Sequence, residues 1–136
     1  MIESLKEYES ILDSDDLAIR RKAATETATA EVWLDILVRR PDLAEDVAFN
    51  KHLPATILDI LIDSSSAHVR STIAMKRGLE HKQFEKLAKD NDDSVRIMIA
   101  NNRKTPQPVL EELEYDSCES VSLAANLQLQ VRSNAS

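Results

Sequence analysis

The sequence predicts an all-α protein assembled from tandem pairs of short helices, and three observations carry that prediction. An aliphatic residue, an alanine five positions later and a large apolar residue fifteen positions later recur in one frame: Ile19, Ala24, Leu34; Leu43, Ala48, Leu58; Val69, Ala74, Phe84; and Val95, Ala100, Leu110. The frame advances by 24, 26 and 26 residues. A partial fifth copy starts at Val121, giving about 4.5 two-helix repeats, and a fixed period of this length marks stacked repeat architectures. The single glycine, Gly78, and four prolines leave few of the positive-φ positions that hairpin turns need. Composition agrees, since 30% charged and 43% hydrophobic residues suit amphipathic helices.

The 136 residues fit one domain, residues 1–136. Within it, residues 1–13 form an N-terminal cap, 14–130 the repeats and 131–136 a polar tail. In the cap, Ile2, Leu5, Tyr8 and Ile11 share one side of a short helix, with Ser4, Lys6 and Glu7 facing away. From Asp13 onward each unit holds a first helix bearing the aliphatic and alanine positions, then a second bearing the leucines. The first helices pair Ile19 with Ala23, Leu43 with Val47, Val69 with Ile73, Val95 with Ile99 and Val121 with Ala125 at a spacing of four. The second helices pair Leu34 with Leu37, Leu58 with Leu61, Phe84 with Leu87 and Leu110 with Leu113 at a spacing of three. A unit this short cannot enclose such faces alone, so units stack, with the alanines as close-approach points where a larger side chain would overpack. The two-residue contraction before Leu43, beside Pro41, predicts one tighter loop.

The fourth unit shows the local grammar best. Asp92, Asp93 or Ser94 can cap a helix through Val95, Ile99 and Ala100, and Asn101 and Asn102 suit its end. Thr105 and Pro106 then start the next helix, threonine as N-cap and proline at the first helical position, where its missing N–H costs nothing.

The run Leu87 to Leu113 carries a leucine helix, Asp90, the pair Val95 and Arg96, Ala100, Asn102, Thr105, Pro106, Leu110 and Leu113, with Asp116 beyond. It resembles the leucine-rich repeat variant family, a relative of HEAT-type helical repeats. The match extends to Val69, Arg70, Ala74 and Leu87, and to Ala48, Asn50, Pro54, Leu58 and Leu61. It covers roughly residues 13 to 130. In the first unit Glu26 stands in place of the asparagine and Ala30 in place of the proline. The resemblance implies a right-handed α-solenoid, a superhelix whose paired helices are short and sometimes 3₁₀-like. It implies little about activity. An iron-sulfur module found in one member type needs several cysteines, and this chain has Cys118 alone.

Function is less marked. A formal charge of −7 argues against general affinity for phosphate backbones and makes a basic partner the easier one to accommodate. One cysteine excludes an intrachain disulfide and a multi-cysteine metal cluster. The start Met-Ile-Glu-Ser-Leu-Lys lacks the apolar run of a signal peptide, and no stretch approaches a membrane span, so a cytoplasmic setting is expected. His52, His68 and His81 fall at unrelated frame positions, and with Cys118 they lack the spacing of paired metal ligands. No glycine-rich phosphate loop, His-Glu-x-x-His pair or nucleophile elbow is present. The expectation is therefore a non-enzymatic protein with no cofactor, no metal and no catalytic residue.

Two ladders repeat with the frame. Arg20, Arg70 and Arg96 follow the aliphatic anchor, interrupted by Ala44 and Ser122. Such arginines either grip a partner's phosphates and carboxylates or pair with carboxylates such as Asp90 and Asp116 to tie one repeat to the next. Asp35, Asp59, Glu85 and Glu111 each follow the second-helix leucine or phenylalanine. They read as a solvated outer face or as a docking strip for a basic peptide or protein. Trp33 occupies the position of Ile57, Gln83 and Val109, and tolerance of Gln83 predicts a half-exposed indole, at the core's periphery or anchoring an interface.

The function expected is a non-catalytic protein–protein interaction module, of which an inhibitor or immunity-type protein masking a basic active site is one form. Asp35, Asp59, Glu85, Glu111 and Trp33 are its candidate partner-binding residues. The alternative is a nucleic-acid-binding HEAT-like protein, by analogy with DNA glycosylases of that architecture, using Arg20, Arg21 and Lys22 with Arg39 and Arg40. The last half-repeat exposes Leu123, Leu127, Leu129 and Val131, which predicts weak homodimerisation through it.

Overall fold

A computed structural model describes residues 1–135, and all regular structure among them is helical. Ser136, the end of the expected tail, lies outside the described residues. The chain divides into two compact units, Met1–Asp63 and a second beginning at Ser64.

The first unit holds α1 (Leu5–Leu12), α2 (Leu17–Arg20), α3 (Lys22–Thr25), α4 (Ala30–Arg39), a 3₁₀ turn (Pro41–Leu43), α5 (Ala44–Ala48) and α6 (Ala55–Ile62). Ser4 caps α1 by accepting from the Glu7 amide, so this side chain closes the helix start rather than merely facing away. Ile2, Leu5, Tyr8 and Ile11 are buried as the cap pattern requires, and α1 packs against α2, α3 and α4. The contraction beside Pro41 becomes the 3₁₀ turn, which runs straight into α5.

The repeat frame slips in this unit. Ile19 is 39% exposed and Leu34 45% exposed, while Trp33 and Ile36 are fully buried. An indole buries about 150–250 Å², so turning α4 by one residue to enclose Trp33 gains more than enclosing Leu34 would. Trp33 meets Tyr8 edge to face, with ring centroids 5.6 Å apart at 83°. The hydroxyl of Tyr8 and the indole N–H of Trp33 are enclosed without a hydrogen-bond partner among the described residues. Burial, with help from the Asp46 charge, pushes the Tyr8 hydroxyl above its usual range, so it stays protonated.

The second unit follows the frame closely. It comprises α7 (Ala67–Ala74), α8 (His81–Ala88), α9 (Asp93–Asn101), α10 (Gln107–Leu113) and α11 (Glu119–Ala135). α7 packs on α9 and α9 on α11, while α8 packs on α10, so first helices form one layer and second helices the other. Val69, Ile73, Val95, Ile99, Val121 and Ala125 line the first layer, and Phe84, Leu87, Leu110 and Leu113 the second, all buried. Ala74 and Ala100 are fully enclosed, where added methyl groups would force neighbouring helices apart.

Three local expectations are corrected. Asp92, not Asp93 or Ser94, is the α9 cap, accepting from the Ser94 amide. Thr105 does not cap α10, whose N-cap is Pro106; the buried Thr105 hydroxyl donates at 2.6 Å to the Ile99 carbonyl near the end of α9, which also accepts from the Asn102 amide. The expected tail is helical through Ala135, because α11 continues across it and Arg132 donates to the Arg103 carbonyl at 2.9 Å.

Candidate interaction surfaces

The candidate residues fall into those the structure consumes and those it leaves at the surface. Arg70 is consumed: its guanidinium takes Asp90 bidentately at 2.8 and 3.1 Å and donates to the Ser64 carbonyl at 2.7 Å. Arg96 repeats the arrangement with Asp116 at 2.9 and 3.1 Å and with the Asp90 carbonyl at 2.8 Å. Each arginine thus braces two successive inter-helix loops, and the fork geometry of guanidinium suits it to that task. Burial works to raise the Asp116 carboxyl, but hydrogen bonds from Arg96 and the Cys118 amide prevail and hold it below the usual carboxylate range. Arg20 is exposed and makes no ion pair among the described residues. The sequence signal for a brace is an aspartate twenty residues after the arginine; after Arg20 that position is Arg40.

A second stitch uses carboxamides. The Asn102 amide donates to the Ala74 and Lys76 carbonyls, both at 2.8 Å, and its oxygen accepts from the Lys104 amide at 2.9 Å. Asn50 does the same in the first unit, donating to the Ala23 and Glu26 carbonyls and accepting from His52. Gln128 takes the place in the last half-repeat, donating to the Ala100 and Asn102 carbonyls at 3.2 and 3.1 Å. In each case a side chain of one repeat satisfies carbonyls that the preceding first helix leaves orphaned at its end. Gln128 was discoverable from its place 26 residues after Asn102, although glutamine replaces asparagine there.

Trp33 is removed from the candidate partner-binding residues, since the indole is 0% exposed and packed on Tyr8. Gln83, which pointed to half-exposure at this register, is itself buried; its side-chain oxygen accepts from the Glu80 amide at 2.8 Å and closes a capping box at the start of α8. A polar residue was tolerated there for local hydrogen bonding, not for contact with water.

The acidic ladder is at the surface. Asp35, Asp59, Glu85 and Glu111 are all exposed. Asp35 and Asp59 lie on the adjacent helices α4 and α6, and Glu85 and Glu111 on the adjacent helices α8 and α10. Arg39 approaches Asp35 at 3.2 Å and His81 approaches Glu85 at 2.7 Å, both one turn away and solvated, so the pairs are weak. Among the basic residues weighed for phosphate binding, Arg39 is thus partnered, and Arg40 pairs with Glu9 and Asp42. Arg20, Arg21 and Lys22 remain exposed.

A trough of about 250 Å³ in the second unit is lined by Met75, Arg77, Met98, Asn101, Asn102 and Arg103. On α11, Leu123, Leu127 and Val131 are exposed at successive spacings of four, forming an apolar stripe, with Leu129 partly covered. Among the described residues no helix is long and apolar enough to cross a membrane, and no group of three or more His, Cys, Asp or Glu could hold a metal ion.

Helix pairs, loop-bracing arginines and carboxamide stitches together place the chain in the class of all-α proteins with sequentially packed helices. Comparison with known proteins found no matching family model, no matching curated protein and no matching solved structure.

Proposed function

We propose that the chain is a short right-handed solenoid of the leucine-rich repeat variant type and works as a non-catalytic docking module for a basic protein partner. The supporting observation is the acidic ladder: the frame repeats a carboxylate at Asp35, Asp59, Glu85 and Glu111, and every one is exposed. In the same frame Arg70 and Arg96 are spent on bracing and Arg20 alone of that ladder stays exposed, so the surface positions of the frame are mostly acidic. Exposed carboxylates on neighbouring helices steer and orient a basic partner more than they tighten it. The fourfold variant D35K/D59K/E85K/E111K is expected to keep its helical circular dichroism and thermal midpoint. Affinity capture from native extract, eluted in a salt gradient, should retain basic proteins on the wild type and lose them on the variant. An unchanged retained set would overturn the reading.

The stripe Leu123, Leu127 and Val131 supports weak self-association through α11, since an exposed apolar helix face gains by covering itself. The variant L127E should remain monomeric where the wild type shows rising mass with concentration in light scattering. A wild type that is strictly monomeric at high concentration removes the proposal.

A further inference from the structure

The trough of the second unit is built differently from the acidic ladder and from the core. Its lining includes two methionines: Met75, just past the end of α7, is 52% exposed, and Met98 on α9 is half-buried. It also includes Arg77 and Arg103, which share a register 26 residues apart in the loops after α7 and α9. Both are exposed, and neither makes an ion pair among the described residues, whereas Arg39, Arg40, Arg70 and Arg96 all do. Two free guanidinium forks and accessible methionine thioethers thus line one trough on a chain of formal charge −7.

Cations near helix ends are favoured by the helix dipole, by about 0.3–1 kcal/mol. That accounts for a positive charge in each loop. It does not account for the exposed Met75 in the same trough, which costs apolar exposure, nor for planar donors left without acceptors. Methionine is the side chain best suited to an apolar partner of variable shape, and arginine to bidentate capture of a carboxylate.

We propose that this trough is a docking site for an extended acidic peptide, with two carboxylates on Arg77 and Arg103 and an apolar side chain between them on Met75 and Met98. The peptide therefore carries at least two Asp or Glu residues and an apolar residue. Asn101, exposed at the trough, supplies a donor and an acceptor for the peptide backbone. This site extends the docking-module reading to a second partner chemistry and does not depend on the acidic ladder.

The test is selection of displayed random dodecapeptides on the wild-type chain, counter-selected on R77E/R103E, followed by fluorescence anisotropy of the enriched peptides. Both substitutions are at exposed, unpaired side chains, so the fold should be unaffected, checked by circular dichroism. Enriched peptides are expected to carry at least two acids together with an apolar residue. Their affinity should fall at least tenfold on R77E/R103E, fall severalfold on M75Q, which removes the thioether without adding charge, and weaken with salt. It should not fall on D35K/D59K/E85K/E111K, which separates failure here from failure of the acidic-ladder reading. No enrichment over R77E/R103E, or enriched peptides without acids, overturns the proposal. So does a labelled dT20 oligonucleotide binding more tightly than every enriched peptide, which would assign the trough to nucleic acid.

Discussion

Replacing Asn102 by leucine is expected to cost about 3–4 kcal/mol of stability, because the buried carboxamide serves three backbone groups and orphaning each costs about 1–3 kcal/mol. The carbonyls of Ala74 and Lys76 and the amide of Lys104 would lose their partner together, and leucine offers no polar atom in exchange. The donating interactions reach a repeat away, at positions 74 and 76, so the damage should appear as lost register between α7 and α9 rather than as local fraying. Urea unfolding measures the loss, and amide exchange at Lys104 locates it. The Gln128→Ala variant is the graded comparison. Its bonds are longer and its helix half-exposed, so a loss of about 0.5–1.5 kcal/mol is expected. If Asn102→Leu costs under 1 kcal/mol, water reaches those carbonyls and the stitch is not a stability determinant.

Arg96→Met is expected to cost about 2–4 kcal/mol at neutral pH, since removing one member of a largely buried pair strands the other. The Asp116 side chain is 9% exposed and would keep only the Cys118 amide as a partner for its charge. The carboxyl is held below the ordinary range in the folded chain, so its ionised form stabilises the fold above about pH 4 and that contribution is lost as pH falls through the lowered value. In Arg96→Met the same carboxyl can take up a proton and shed the unpaired charge. The difference between wild type and variant is therefore widest above about pH 4 and closes below it. Denaturation midpoints followed from pH 7 down to pH 2.5 test this. A difference that stays constant over that range would mean Arg96 acts through the packing of its stem and its bond to the Asp90 carbonyl alone.

What could be read from the chain differs between its two units for a physical reason. In the second unit Val95, Ala100, Leu110 and Leu113 are buried as their spacing requires, because no residue there is large enough to compete for the same space. In the first unit Trp33 does compete, and it displaces Leu34 from the interior. Hydrophobic spacing treats the two side chains as equal and cannot see that one has more surface to bury. Thr105 and Gln83 show a related limit. Their types suit a helix start equally well, yet the hydroxyl of one goes back to Ile99 while the amide of the other closes its own helix. Which backbone group lies nearest is a matter of three-dimensional distance.

The candidate surfaces divide in the same way. Exposure of Asp35, Asp59, Glu85 and Glu111 was implied by their position opposite the apolar stripe. Of the two roles open to the arginine ladder, bracing holds for Arg70 and Arg96, whose aspartates twenty residues on were already visible. The free guanidinium groups of Arg77 and Arg103 were not, because a charge is distinguished from its neighbours only by whether a carboxylate comes within reach.

By itself, then, the sequence determined that this protein is helical, that its helices come in pairs about 25 residues apart, and which faces of the later repeats are apolar. Periodicity suffices for that, because burying an apolar stripe is a property of one helix at a time. Only the tertiary structure decided which polar side chains were consumed in tying helices together and which were left at the surface. Asn102, Arg70 and Arg96 are committed to groups 20 to 28 residues away. Arg77 and Arg103 make no ion pair among the described residues, and no local pattern separates the two sets. Hydrogen bonds and ion pairs act over about 3 Å, so their bookkeeping closes only when the chain has folded.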